Sequence, residues 1–371
     1  MFVFLAALVS VACATVSPNT SLATLPVGYF GGVTVPRPPE NLAMLAKMRV
    51  VTIEKWEGGA FDACAVNASM GIPCSPEAHG EALQLATIQA VKKLNPAVSV
   101  GYYQNSLYDW TFQELDAEFG AADENMRALN GTVISMEQDN GLTGQHVFAL
   151  EKQTAVQRWL DWHKKLLSMG VDGIFLDKPN IVPVVNSSAP GGWQICEAGG
   201  HDKKHAWEQR CAPISAAQAA AYTPNKLYMV KAVVEQIWRP AGGYVLTWSF
   251  GNGTMDYFHL SGSIPELNAS GSLRHWLADF IYANFQDQHT SSTDTTPICT
   301  TDDVAKFLMV VREGMFIGCN GWDDSYGNPL GDPMGPAEIV KDQLYKRSFA
   351  SGTTATYDDK THTGTITWAS A

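Results

Sequence analysis

Eight short apolar strands, each followed by a segment of helical period, predict a (β/α)8 TIM barrel for this 371-residue chain. Two further observations favour a closed barrel over an open doubly wound sheet. Eight strands are enough to close a ring, and no Gly-rich phosphate turn follows the first strand. No low-complexity linker or long charge run marks a boundary, so residues 15–371 read as one domain.

Val27–Gly31 is the first strand, followed by a helix from about Pro39 to Met48. Val50–Glu54 is the second. The helix after it, Gly80–Leu94, repeats apolar residues at three and four (Leu83, Leu85, Ile88, Val91) and stops at Asn95-Pro96. Val98–Tyr103 is the third strand, and a long excursion from Leu107 to about Leu150 precedes the helix Lys152–Met169. Val171–Asp177 is the clearest strand. A second excursion holds Cys196 and Cys211, and a helix then runs from Ser215 to Trp238. Tyr244–Phe250, about Tyr257–Leu260, and Phe280–Phe285 follow as strands. Thr301–Arg312 is a helix with Thr and Asp at its start, and Met315–Gly318 is the eighth strand. A helix over Pro336–Ser348 is expected to close the series. Thr354–Thr367 alternates as a C-terminal β-hairpin, packed on the barrel over about residues 353–369.

The uncharged apolar start ends in Ala12-Cys13-Ala14, which predicts a signal peptide over residues 1–14 and a secreted protein. Losing Cys13 leaves six cysteines in sequence-local pairs: Cys64–Cys74, Cys196–Cys211 and Cys299–Cys319. Asn-x-Ser/Thr sequons at Asn19, Asn67, Asn130, Asn186, Asn252 and Asn268 predict surface glycans. A net charge of −12 without a basic stripe argues against nucleic acid as partner, and no later stretch is long and apolar enough to span a membrane.

Catalytic residues of such barrels project from the C-terminal ends of the strands. Those ends carry Tyr29, Glu54, Trp56, Tyr103, Asn105, Asp177, Lys178, Trp248, Asn284, Asp287, Trp322 and Asp323. Sugars need this mixture, because amides and carboxylates bond hydroxyls while aromatic faces pack on ring C–H groups. Asp177 stands out: the apolar run Ile174-Phe175-Leu176 carries it rigidly into the mouth, and Lys178 beside it favours the ionised form of a nucleophile or base. Glycoside hydrolysis needs a second carboxyl group as acid. Glu266 is the first choice, because Ile264-Pro265 offers it an apolar wall; Glu54 is the second, and Asp287 and Asp323 follow.

The run Gly170-Val171-Asp172-Gly173-Ile174-Phe175-Leu176-Asp177 resembles the central strand of TIM-barrel glycoside hydrolase families, including relatives of the endo-α-1,4-polygalactosaminidases. Leu330-Gly331-Asp332-Pro333 and the later Tyr345–Gly352 run are similar to the closing segment of such families. The resemblance implies that Asp177 matches the family's strand-end acid; it does not place a partner carboxylate. Fold analogy does not establish function, and two other readings stay open beside it: a glycan-binding barrel without turnover, and a metal-dependent hydrolase or lyase. Metal signals are slight. His201 and His205 are only two ligands, and Asp323-Asp324 with Asn320 reads first as a solvated loop, so no metal or other cofactor is expected. The absence of a Gly-x-Ser-x-Gly elbow and of phosphate loops removes support for esterases and kinases.

Overall fold

The computed structural model describes residues 21–33, 37–55, 57, 80–110, 113–137, 144–179, 184–186, 192–196, 211–247, 257–258, 264–265, 281–283, 289–290, 299–312, 315–319 and 321–370. The expected signal segment, Cys64, Cys74, the metal pair His201 and His205, Asn320, and the sequons at Asn19, Asn67, Asn252 and Asn268 lie outside them.

The parallel strands are β1 (Val27–Val33), β2 (Val50–Ile53), β3 (Ser99–Asn105), β4 (Gly173–Asp177), β5 (Tyr244–Thr247), β6 (Tyr257–Phe258), β7 (Ile281–Ala283) and β8 (Met315–Gly318). They pair in the order β5-β4-β3-β2-β1-β8-β7-β6. The two-residue strand His289–Thr290 adds to the end of β1. The six strands of four or more residues form a curled parallel half-barrel, which the short β7 and β6 extend. Among the described residues no pairing joins β5 to β6. The order is sequential around the curl, as expected when every crossover returns the chain beside its previous strand.

Side chains alternate between two faces with period two. The concave face holds Phe30, Val50, Tyr103, Phe175, Tyr244, Leu246 and Phe316, with Phe30 and Phe175 ring centroids 4.5 Å apart. The convex face, with Tyr29, Val51, Ile53, Tyr102, Ile174, Leu176 and Val245, joins the larger core under the helices. Gly101 and Gly173, register partners on β3 and β4, are glycines for a reason: a Cβ on either would strike the Tyr244 ring lying across them.

The helices are α1 (Pro39–Leu45), α2 (Gly80–Leu94), α3 (Glu114–Ala121), α4 (Gln153–Ser168), α5 (Ala216–Ala232) and α6 (Thr301–Val310). Ser215 with Gln218, and Thr300 with Asp303, form capping boxes that start α5 and α6. The last turns after α5 widen into a π-helix over Val233–Trp238, completing the expected span. Buried Ala155, Val156, Trp159, His163 and Leu166 form the core stripe of α4.

Both excursions build small antiparallel sheets. Tyr108–Trp110, Ser135–Glu137 and Gly144–Val147 make the first, and Val184–Asn186, Trp193–Cys196 and Cys211–Pro213 the second. Two of the expected disulfides are present, Cys196–Cys211 and Cys299–Cys319, and they fit an extracellular protein. Among the described residues no helix is long and apolar enough to cross a membrane.

The expected helix over Pro336–Ser348 is replaced by two strands, Glu338–Lys341 and Leu344–Ser348. Asp342 and Gln343 turn between them at positive φ (29° and 67°), and Leu344–Ser348 then pairs residue for residue with Thr354–Asp358. Cross-strand partners outweighed helical spacing here. Thr363–Thr367 completes the four-stranded sheet, so the expected hairpin is its second half. The sheet seats on α6: Arg347 donates to the carbonyls of Leu308 and Val311, and Gly364 N–H donates to Asp302 at 2.7 Å. Gly331 (φ 73°) lets the turn after Leu330 pass close to Ser351.

Candidate functional site

Asp177 ends β4 on the concave side, two residues beyond Phe175. Its Oδ2 accepts a 2.6 Å hydrogen bond from the Tyr103 hydroxyl and a 2.9 Å bond from Asn105 Nδ2. Asn105 lies opposite Asp177 in the β3–β4 register, and its own Oδ1 accepts from the backbone N–H groups of Leu107 and Tyr108. The amide is thereby held with its nitrogen toward the carboxylate. Ser106 ties the Asp177 carbonyl through both its backbone N–H and its hydroxyl. Asp177 is only 4% exposed, so these bonds act where water screens them little.

Glu54 follows Ile53, whose partner on β3 is Tyr102. It therefore falls on the same side of the sheet as Tyr103. Glu54 is 4% exposed and forms an ion pair with Lys55. Burial raises the Tyr103 hydroxyl far above its ordinary range, and the charges of Asp177 and Glu54 add to this. Tyr103 thus stays a neutral donor between two carboxylates. The structure brings together Glu54, Tyr103, Asn105, Asp177 and Lys178 at neighbouring strand ends.

Other expected positions do not join this group. Tyr29 lies on the convex face, where its hydroxyl accepts from Arg37 at 2.9 Å, and Arg37 also pairs with buried Glu57 at 2.7 Å. Counting one residue along β1 explains the difference, since Phe30 is the neighbour that faces inward. Trp322 and Asp323 lie near the opposite rim. Trp322 stacks edge-on to Tyr326 with Lys47 above it, and Tyr326 accepts from Leu25 N–H ahead of β1. Exposed Asp323 accepts from Ser325 N–H, which lowers its pKa, and Asp324 pairs with Lys47, so both acids are engaged locally. Trp56, Trp248, Glu266, Asn284 and Asp287 lie outside the described residues. A cavity of about 420 Å³ lies elsewhere, between α3 and α4, lined by Glu118, Glu124, Arg158, Asp161, Trp162 and Lys165 among others.

Two site residues escaped the sequence reading. Lys226 of α5 is fully buried, and its ammonium donates to the carbonyl of Lys178 at 2.8 Å. Burial lowers its pKa to about 7 while the charge of Asp177 opposes that fall. The available signal was a lysine in the apolar stripe of Tyr222, Met229, Val230 and Val233. Lys55 lies 4.3 Å from the Tyr103 ring centroid and 5.2 Å from that of Trp110, which arrives from the first excursion.

No family model and no curated protein matches this chain. Among solved structures it is similar to a GH31 family sulfoquinovosidase from E. rectale (12% identity, TM-score 0.47, 82% of this chain and 44% of that one). It is also similar to the alpha-N-acetylgalactosaminidase NagBb from Bifidobacterium bifidum (11% identity, TM-score 0.39, 96% and 59%). A third similarity is to the glycoside hydrolase domain of PelA from Pseudomonas aeruginosa (12% identity, TM-score 0.34, 69% and 66%). The chain spans under two thirds of the length of each. At these scores the likeness assigns no activity, and the functional reading rests on the residues themselves.

Proposed function

We propose that this protein is a secreted glycoside hydrolase in which residues 15–371 form one closed TIM barrel, with Asp177 as nucleophile or base. The supporting observation is the placement of Asp177 and Glu54 on either side of Tyr103, at the C-terminal ends of β4, β3 and β2. Neighbouring strands are about 4.8 Å apart, so β2 and β4 run about 9–10 Å apart and the curl narrows the gap between inward side chains. That falls near the roughly 5–9.5 Å over which paired carboxyl groups cleave glycosides.

Tyr103 and Asn105 would orient the Asp177 carboxylate and spread its charge. Glu54 is ion-paired with Lys55, an arrangement that suits a stabiliser of the oxocarbenium-like transition state better than a proton donor. Glu266 therefore stays first choice for the acid and Glu54 second. Substrate hydroxyls would meet Asn105 and Lys178, with Trp56, Trp248, Asn284 and Asp287 as further contacts from the remaining strand ends. Glycans on the sequons, and a Cys64–Cys74 bond, belong to the same proposal of export; exposed Asn130, followed by Thr132, and Asn186 are the acceptors among the described residues.

The test is release of reducing sugar from a polysaccharide panel by wild type, Asp177→Asn, Glu266→Gln and Glu54→Gln. Asp177→Asn should lose activity on every substrate, including aryl glycosides with good leaving groups. The acid variant should lose polysaccharide cleavage but recover on aryl glycosides. Equal release by wild type and Asp177→Asn would overturn the assignment. The burial of Asp177 against two neutral donors favours a second reading, a barrel that binds glycan without turnover. Glycan binding with no release by wild type across the panel would select it.

A further inference from the structure

The chain leaves β4 through a turn that its own sequence opposes. Lys178, directly after Asp177, has φ of 55°, a left-handed conformation disfavoured for a residue with a Cβ. Pro179 follows it, and a proline pushes the residue before it toward extended backbone. The other described non-glycine residues at positive φ, Asp123, Asp342, Gln343 and His362, are exposed, whereas Lys178 stands between buried Asp177 and buried Pro179. Contacts from elsewhere in the fold therefore impose this turn.

Two successive carbonyls are held there. Ser106, next after β3, donates its backbone N–H and its hydroxyl to the Asp177 carbonyl, at 3.0 and 2.8 Å. Lys226 Nζ, from α5, donates to the Lys178 carbonyl at 2.8 Å. We propose that Lys226 is a positioning residue: by holding the Lys178 carbonyl it fixes the left-handed turn, and with it the backbone from which the Asp177 carboxylate is aimed at Tyr103 and Asn105. This rests on the reading of Asp177 as nucleophile or base, and adds a residue that acts through Asp177 without touching the substrate.

Lys226 is fully buried, on the same stripe of α5 as Tyr222, Met229 and Val230. An apolar side chain would fill that position with no desolvation penalty, so the lysine is explained by what its nitrogen reaches and not by packing. Its unbranched stem can lie along the apolar stripe while the nitrogen extends to the strand end. A lysine nitrogen donates to a carbonyl in either protonation state, so the hold does not depend on the charge that Lys226 carries. Fixing the turn also places the Lys178 side chain, whose nitrogen lies 4.5 Å from the Tyr108 ring centroid.

The experiment compares full-length wild type, Lys226→Met, Lys178→Gly and the double variant on the polysaccharide selected by the panel above. Methionine approximates the lysine stem and removes the donor. Lys226→Met should lower kcat about ten- to a hundredfold with KM within about threefold, because the substrate contacts remain while the carboxylate loses its aim. Glycine takes the left-handed conformation without steric penalty, so in the Lys178→Gly background the same change should lower kcat less than about threefold. A lysine that only stabilised the fold would shift Tm alike in both backgrounds and leave kcat in place. A kcat of Lys226→Met within about twofold of wild type, or an equal loss in both backgrounds, overturns the proposal while the hydrolase reading stands. Should Lys226→Met fail to fold, recovery of folding in the double variant sustains the proposal, and failure of both overturns it. If wild type cleaves nothing, the hydrolase reading falls and the turn itself decides. The Ser106 amide, bonded to the Asp177 carbonyl, should then exchange at least about tenfold faster in Lys226→Met while the amides of α4 keep their rates; unchanged exchange at Ser106 ends the proposal.

Discussion

Asp172 and Asp177 bracket one strand, and their surroundings differ in kind. Asp172 precedes β4 and is met by the Lys92 ammonium at 2.8 Å and by Val100 N–H at 2.9 Å. Lys92 also donates to the carbonyls of Pro96 and Val98, so the group fastens the turn between α2 and β3. Asp177 meets a phenol and an amide instead, both presented by β3. The five-residue interval places the two acids on opposite faces of the sheet. One end of the strand fastens a turn, and the other gathers convergent polar groups at the strand ends.

The largest expected contrast comes from neutralising each acid. Asp177→Asn should lower kcat/KM about a thousandfold or more, with Tm nearly unchanged. Asp172→Asn should leave kcat/KM within about twofold yet cost about 1–3 kcal/mol in urea unfolding, because Lys92 loses its partner. A large activity loss from Asp172→Asn would break the comparison. Tyr103→Phe sharpens it: loss of one hydrogen bond to the carboxylate should reduce kcat/KM by about ten- to a hundredfold while the apolar ring keeps the concave core packed.

The smallest effect on activity is expected from Glu81, which sits far from Asp177 in sequence, in the first turn of α2, and caps the start of α3. Its carboxylate accepts from the backbone N–H groups of Glu114 and Leu115. Burial raises its pKa from 4.5 to about 7 despite those bonds, so the fold prefers the protonated form. Its contribution is complete below about 4.5 and is lost as pH rises through about 7. Glu81→Gln cannot ionise and should flatten that part of the stability profile, read by hydrogen exchange in α3. An unchanged slope would show that the ionised form is tolerated.

Much of the fold was legible because its signals are local. Capping boxes at Ser215 and Thr300, and the apolar run into Asp177, need only neighbouring residues to be recognised. Asp177, Tyr103 and Asn105 were legible in the same way, since a strand end is visible in the chain. Lys226 was not, because its partner is a carbonyl 48 residues away. Tyr29 was misplaced by a count of one, which in a strand reverses the face.

What the sequence by itself determined is the succession of strands and helices and the chemistry offered at each strand end, both written in periodicity and in adjacent residues. Tertiary structure alone decided that Tyr103 stands between Glu54 and Asp177, that Trp322 and Asp323 go to the other rim, and that residues 338–348 become strands. The physical reason is the same in each case: hydrogen-bond partners and burial came from residues distant in the chain, and their free energy exceeds the modest local preferences that a sequence displays.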